Sequence, residues 1–600
     1  MSASSSVAAG RGAPRQASGA LWQALPFLGI FAAALILPMV SNDYWTLIAT
    51  RAAIYWVLVS ALNLVVGFAG QLAIGWVAML TLGAYTTSVL VAGNVMPPVP
   101  VFPALGVAAL VGGVFGFIVG LPALRLRTFY FAMTTLGFAT IVTQVALAWQ
   151  GVTGGGIGIV GPVLPAPFDT IFGFYLFCLG LAAFCTWISA NAAHSRFGRS
   201  LVAIRDAEVA AESSGISKPR LLGAVFLFAG AMAGIAGGLF ATLQSYISPE
   251  AFTFDLSVLF FIAILIGGRG SILGPFIATI VLTWLPEFAA PLVAWSTFLY
   301  AALLLAIVLL VPGGIAALLD FRSRRRIEAD RTIVPRPELL PEILGGRKAS
   351  EAITLKDIVL SFGGVRAVDG LDLTIEPGAV HGLIGPNGSG KTTTLNVICG
   401  FYRPETGSVT VDGEPLPAAA PQTRAASGIA RTFQTPKLIG EASVLQNVMV
   451  GGAIRGRGSF VESLLALPRH RQDEAMLRHD ALLALRCVGL GALADVRADR
   501  LQHSELRFLE IARALMLRPR FLLLDEPAAG LSAEEIRSLG GLIRAISRQG
   551  TGVLLVEHHA DLIFEICDQV TVLNLGRELA AGTPAEIRAH PEVVSAYLGS

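Results

Sequence analysis

The stretch Gly385-Pro386-Asn387-Gly388-Ser389-Gly390-Lys391-Thr392-Thr393 has residue types and spacing suited to gripping a triphosphate. Short apolar residues from His381 to Ile384 lead into it, and a helix-compatible run from Thr392 to Cys399 follows before Gly400. Strand, glycine loop and helix in that order make a phosphate cradle. The glycines let backbone N–H groups close around the β- and γ-phosphates, and the helix N-terminus adds a favourable dipole. Lys391 would bring a cation to those phosphates, and the Thr392 hydroxyl a ligand to Mg²⁺. The competing reading is a glycine-rich turn that binds nothing, and the complete G-x-x-x-x-G-K-T pattern argues against it. The chain is expected to bind a nucleoside triphosphate.

Further stretches supply groups for hydrolysis. Phe521 to Pro527 reads as a buried strand ending in two carboxylates, Asp525 and Glu526. Asp525 would hold Mg²⁺, directly or through water, and Glu526 would polarise the attacking water as a general base. A second apolar strand, Thr551 to Val556, runs into Glu557 and His558, and a histidine there can touch the γ-phosphate and sense its loss. His559 is adjacent, so the choice between the two is not automatic. In Arg431-Thr432-Phe433-Gln434 the glutamine amide could reach Mg²⁺ and the water.

The elements that must carry these groups divide into two halves. Of 600 residues, 54% are hydrophobic and only 14% charged, against roughly 25% charged in a soluble protein. Between Arg51 and Arg125 there is no Asp, Glu, Lys or Arg, whereas charges are frequent from about Arg322 onward. A membrane half joined to a soluble half follows. A net charge of +2 is too small to argue for nucleic acid. Five cysteines without C-x-x-C spacing signal neither a metal site nor a disulfide framework.

Residues 1–20 read as an uncleaved cytoplasmic tail rather than a signal peptide, because many apolar spans follow. Candidate spans are roughly 21–40, 46–66, 70–92, 101–122, 128–149, 170–190, 219–243 and 289–311. The stretch 254–286 is interrupted by Gly267-Gly268-Arg269-Gly270; it reads as two short crossings turning at Arg269 or as a re-entrant hairpin. Parity with a cytoplasmic ATPase gives about ten spans and places Arg125, Arg127 and the basic segment 194–220 inside. Arg51 then lies near the outer surface, where it can snorkel. Gly- and Ala-rich runs such as 229–238 suit close helix packing. Asn63, Gln71, Gln144 and Gln244 either line a path or satisfy helix–helix hydrogen bonds. No span shows a buried acidic relay of the proton-driven kind.

The charged, helix-prone segment 198–216, with Arg199, Arg205, Glu208 and Gly215, lies between two apolar spans. It is either a solvated loop helix or a cytoplasmic helix that docks onto the ATPase, and its placement favours docking. Arg322, Arg324, Arg325 and Arg326 form a stop-transfer cluster, and Pro335, Pro337 and Pro341 keep 321–350 extended as a linker. The expected domains are 1–20 tail, 21–320 permease, 321–350 linker and 351–600 ATPase.

Residues from about 352 to 600 resemble, motif by motif, the ATP-binding subunit of an ABC transporter. Gly385 to Thr393 resemble Walker A, and Asp525 with Glu526 resemble Walker B. Gln434 stands at the Q-loop, His558 at the switch histidine, and Phe362 at the aromatic position that stacks on adenine. Arg431-Thr-Phe-Gln434, Asp525-Glu-Pro-Ala-Ala-Gly-Leu531 and the ending Ala596-Tyr-Leu-Gly599 look like the G-type ATPase of branched-chain amino-acid importers. The membrane half is similar to the M-type permease of the same system in Gly67-Phe-Ala-Gly70, Leu124-Arg-Leu-Arg127, Thr134-Thr-Leu-Gly137 and Thr153 to Gly158. Ser248-Pro-Glu250 and Gly267 to Gly274 add to it. The fold implied is a polytopic α-helical membrane domain followed by an α/β P-loop ABC ATPase domain with a helical subdomain.

One departure concerns the family signature, usually L-S-G-G-Q, which falls at Leu501-Gln502-His503-Ser504-Glu505. Gln502 replaces the serine that binds the partner's γ-phosphate and Ser504 replaces the second glycine, while a helix from Leu506 to Met516 could still aim its dipole at phosphate. The ATP site completed by this signature is therefore expected to hydrolyse slowly. Ser532 also stands where the D-loop commonly has an aspartate.

The resemblance implies ATP-driven import of amino acids, branched-chain ones by default, across a bacterial inner membrane, with ATP and Mg²⁺. It also implies an external binding protein, a second permease and a second ATPase as partners. Rival readings are an importer of urea or short amides, a homodimeric half-transporter exporting lipid or drug, and an ATP-gated channel that does not pump.

Overall fold

The computed structural model describes residues 15–126, 128–289, 295, 298, 302, 305, 309, 313–319, 333–345, 351–416 and 420–595. Outside them lie Arg127, most of the expected span 289–311, the cluster Arg322 to Arg326, much of the linker and the ending Ala596 to Gly599. The chain forms two units, residues 1–190 with 223–324, and residues 191–222 with 325–600.

In the first unit, apolar runs with few charges become helices because only a helix satisfies its own backbone polar groups in hydrocarbon. They are α1 (Arg15–Val40), α2 (Asp43–Asn63), α3 (Val77–Ala92), α4 (Val101–Gly120) and α5 (Thr128–Ala148). There follow α6 (Ile171–His194), which runs on into the second unit, and, beyond an intervening helix of that unit, a helix at Lys218–Gln244. Among the described residues six helical segments are long and apolar enough to cross a membrane, and three shorter apolar helices accompany them. The expected count of about ten is neither reached nor excluded by these.

One boundary differs from the expectation, and the interrupted stretch takes a definite form. The span placed at 70–92 begins as a helix only at Val77, because α2 runs into a π-turn at Leu64–Phe68 and a non-helical stretch containing Gly70 at φ +70°. The interrupted stretch resolves into helices Phe254–Gly267 and Leu273–Ala289, of about 21 and 25 Å at 1.5 Å per residue. Their turn is tight because Gly267 and Gly274 meet backbone to backbone: a Cβ on Gly274 would stand 1.8 Å from the Gly267 carbonyl oxygen. Asn63 Nδ2 donates to the Ser271 carbonyl at 2.7 Å, so this amide ties α2 to the turn between these two helices. Arg51 is paired with Glu287 at 3.4 Å, a partner that sequence reading left out. Gln71 bonds its own loop at Ala69, whereas Gln144 and Gln244 are exposed.

The second unit contains the intervening helix α7 (Arg196–Ser213), kinked at Ala207, and an α/β body. The helix at Lys218–Gln244 is α8, Phe254–Gly267 is α9 and Leu273–Ala289 is α10. The strands are β1 (Ile353–Phe362), β2 (Val365–Ile375), β3 (Val380–Ile384), β4 (Thr406–Val411), β5 (Ile429–Arg431), β6 (Phe521–Asp525), β7 (Gly552–Val556), β8 (Gln569–Asn574) and β9 (Arg577–Gly582). A six-stranded sheet has the order β9-β8-β3-β7-β6-β5, parallel except for β9. An antiparallel sheet carries β2-β1-β4 and the short strand Glu414–Pro415. Every residue of β6 and β7 is buried, as central parallel strands covered on both faces require. The helices that concern the site are α11 (Lys391–Ile398), α12 (Val444–Gly451), α13 (Pro468–Cys487), α14 (His503–Leu515) and α15 (Ala533–Arg548).

Candidate nucleotide site and the helix packed beside it

Sheet order decides which loops meet. Strand β7 lies between β3 and β6, and its Val556 is in register with Leu383 on one side and Asp525 on the other. The carboxyl ends of the three strands therefore level off together, so the glycine loop, His558 and the Asp525–Glu526 pair converge. That is where ligands bind in open α/β sheets.

The loop from Gly385 to Gly390 feeds directly into α11. Gly390 adopts φ +102°, and a Cβ there would stand 2.4 Å from the Ala367 carbonyl oxygen, so only glycine fits. Asn387, Gly388 and Thr392 are exposed, Pro386, Gly390 and Thr393 half-buried, and Gly385, Ser389 and Lys391 buried. Lys391 Nζ donates to the carbonyls of Gly385 and Pro386, each at 2.8 Å. Burial holds the lysine below its usual range, while Glu526 and Asp525 act to raise it.

Glu526 sits at φ +49°, its N–H bonded to the Val556 carbonyl at 2.8 Å. Its two carboxylate oxygens are each engaged at 2.8 Å, by Gln434 Nε2 and by His558 Nε2. The structure thus brings together Gln434, Glu526 and His558, the histidine whose ring meets Glu526. Asp525 is 2% exposed, and burial pushes its carboxyl up against the opposing pull of Arg431. The Arg431–Asp525 ion pair spans 3.0 Å with both side chains buried, and Arg431 also reaches Asn396 Oδ1 at 2.5 Å.

Two buried atoms here, Ser389 Oγ and Asp525 Oδ1, have no hydrogen-bond partner among the described residues. An unpaired oxygen in such surroundings normally has water, an ion or a ligand as its complement. With a lysine, a glycine cradle and a helix N-terminus alongside, the residues fit a triphosphate and a divalent cation. Phe362 is 46% exposed and meets Tyr402 edge-on at 5.2 Å, an aromatic partner that sequence reading left out.

The signature helix starts earlier than expected. It begins at His503 rather than Leu506, because Glu505 reaches back to the Gln502 N–H at 2.6 Å and closes the first turn there. Gln502 and His503 are exposed, Ser504 and Glu505 buried. His503 Nε2 meets the Ala529 carbonyl at 3.2 Å. Ser504 bonds Glu535, which helps to hold that carboxyl below its usual range, after the larger effect of the Ser532 N–H. The substituted side chains His503 and Ser504 thus engage the chain's own Ala529–Glu535 segment.

Further along α14, Arg507, Glu510 and Arg513 recur every third residue and grip the glutamine loop. Arg507 donates to the carbonyls of Gln434 at 2.6 Å and Phe433 at 3.2 Å. Glu510 accepts from the N–H groups of Lys437 at 3.0 Å and Phe433 at 3.3 Å, and Arg513 bonds the Lys437 carbonyl.

Helix α7 packs on the same body. Ser195 caps it, and Glu474 on α13 accepts the Arg196 N–H at 2.7 Å and pairs with Arg199 at 2.8 Å. Burial lowers the Arg199 pKa, with Glu474 opposing. Arg196 also bonds the carbonyls of Ala453 and Gly458, and Phe197 meets Phe460 edge-on at 5.4 Å. Ala207 and Ala210 bury Phe433, the residue before Gln434. Of the four residues singled out beforehand, Arg199 faces α13 and Arg205 reaches Glu441 at 3.6 Å. Gly215 abuts Ile454, whereas Glu208 turns to Lys218 at 2.6 Å, away from the ATPase.

Comparison with known proteins agrees with this division. Residues 44–311 match the family of the branched-chain amino acid transport system permease component. Residues 368–529 match the ABC transporter family, and 577–600 the branched-chain amino acid ATP-binding cassette transporter family. The high-affinity branched-chain amino acid transport ATP-binding protein BraF of Pseudomonas aeruginosa is 39% identical over 248 residues, covering 41% of this chain and 97% of that relative. The corresponding protein LivG of Escherichia coli is 37% identical with the same coverage. The chain therefore belongs to the branched-chain amino-acid family of ABC transporters, and joins a permease part to an ATP-hydrolysing part in one polypeptide.

Proposed function

We propose that this chain uses ATP to import branched-chain amino acids across a bacterial inner membrane, supplying one permease and one ATPase to a larger assembly. Residues 21–320 act as the permease and 351–600 as the ATPase, joined by the linker 321–350, with the tail 1–20 in the cytoplasm. A second permease, a second ATPase and an external binding protein complete the importer. The observation that carries this reading is the presence, in one chain, of a permease match and a cassette 39% identical to BraF.

In the proposed cycle the backbone of Gly385 to Gly390, with Pro386, Asn387 and Ser389, wraps the phosphates. Lys391 turns its ammonium from the Gly385 and Pro386 carbonyls to them, Thr393 steadies the first turn, and Phe362 stacks on adenine. Thr392, Asp525 and Gln434 would hold Mg²⁺, which neutralises charge developing on the phosphates. Glu526 draws a proton from the attacking water while Gln434 and His558 fix its two oxygens. Loss of the γ-phosphate releases Gln434, and Phe433 passes that displacement to Ala207 and Ala210 on α7. Gln502 and the first turn of α14 meet the partner's nucleotide with weakened grip, because His503 and Ser504 are held by the chain's own Ala529–Glu535 segment and Glu505 by the Gln502 N–H.

Reconstitution of the full chain with its co-purifying subunits in proteoliposomes tests the reading. ATP-dependent uphill accumulation of leucine, dependent on the binding protein, is expected. Uptake of urea in place of leucine, or equal flux without nucleotide, would overturn it.

A further inference from the structure

Glu557, the residue before His558, is 1% exposed, and its carboxylate accepts three backbone N–H bonds. Oε1 accepts from Ala528 at 2.6 Å, and Oε2 from His558 at 2.8 Å and His559 at 3.3 Å. We infer that Glu557 is a positioning residue for hydrolysis, clamping the turn after Glu526 to the backbone that presents His558.

The bonds close a ring. Glu526 N–H bonds Val556 O, Ala528 N–H bonds Glu557, and His558 returns through Nε2 to Glu526 Oε1. Within that ring Glu526 occupies φ +49°, a conformation that a side-chain-bearing residue holds only when its surroundings impose it. The Ala528 bond anchors the backbone two residues beyond it, so it helps to hold the catalytic carboxylate in the strained turn. The bonds to His558 and His559 fix where the imidazole ring starts. A carboxylate is suited to this, because charge-assisted bonds to N–H groups are short and strong and no other single side chain offers two acceptor oxygens at that reach.

The inference rests on the ATPase reading, and Glu526→Gln separates the two: hydrolysis surviving that change faults the reading itself. In the full chain purified with its accompanying subunits, Glu557→Ala should lower kcat about ten-fold or more while KM for ATP stays within about two-fold. Glu557→Gln keeps one acceptor oxygen and should recover part of the loss. In a His558→Ala background, Glu557→Ala should cost markedly less than it does alone, because both act through one ring. A wild-type kcat in Glu557→Ala, a parallel rise in KM, or an undiminished loss in the His558→Ala background would overturn the assignment. Should the alanine variant fail to fold, Glu557→Gln decides: kcat reduced at constant KM supports the clamp, and an unchanged kcat refutes it.

Discussion

Replacing Glu474 by alanine should uncouple hydrolysis from transport. Its carboxylate serves α7 twice, accepting the Arg196 N–H at 2.7 Å at the helix start and pairing with Arg199 at 2.8 Å. The Arg199 side chain is 10% exposed and that of Glu474 21%. At an effective dielectric of about 20, two unit charges at that separation attract by about 6 kcal/mol, most of which desolvation offsets. Removing one partner is costlier than the net worth of the pair, because Arg199 stays buried without its counter-charge; about 3 kcal/mol is expected. That corresponds to about a hundred-fold shift away from the docked helix. In proteoliposomes, leucine taken up per ATP hydrolysed should fall at least about ten-fold, with ATP affinity unchanged. Little change in the defect is expected between low and high salt, since a buried pair is poorly screened. The double variant Arg199→Glu/Glu474→Arg should recover part of the coupling. Wild-type coupling in Glu474→Ala would refute the reasoning.

Glu526→Gln should retain ATP binding while kcat falls by about two to four orders of magnitude, read by steady-state hydrolysis alongside nucleotide affinity. Gly390→Ala places a Cβ 2.4 Å from the Ala367 oxygen at φ +102°, and should abolish nucleotide binding measured by fluorescence titration. His381, bonded to Thr571, has its pKa pushed down to about 4 by burial. A depressed histidine favours folding above its unfolded pKa and loses that contribution as pH falls, so about 3 kcal/mol should vanish between about pH 6.5 and 4. Thermal unfolding of the ATPase part should show this slope, and His381→Leu should flatten it.

The sequence alone determined which atoms could do chemistry. Gly385 to Thr393, Asp525, Glu526 and His558 announce themselves because a phosphate cradle and a water-polarising carboxylate tolerate few residue types at few spacings. The charge-free run from Arg51 to Arg125 likewise marked the membrane part, since hydrocarbon excludes ions whatever the packing. Tertiary structure decided what the period of a pattern does not encode. The break before Val77 and the tight turn between Gly267 and Gly274 rest on close backbone geometry that a run of apolar residues does not spell out. The pairing of Arg51 with Glu287, of Arg199 with Glu474 and of Arg431 with Asp525 joins charges that local sequence leaves unrelated. The inward turn of His503 and Ser504 and the grip of Arg507, Glu510 and Arg513 on the glutamine loop join segments distant in sequence, and the Ala528–Glu557 bond depends on β7 lying beside β6. Strand order is set by which apolar faces bury best together, and that is a property of the whole sheet rather than of any stretch within it.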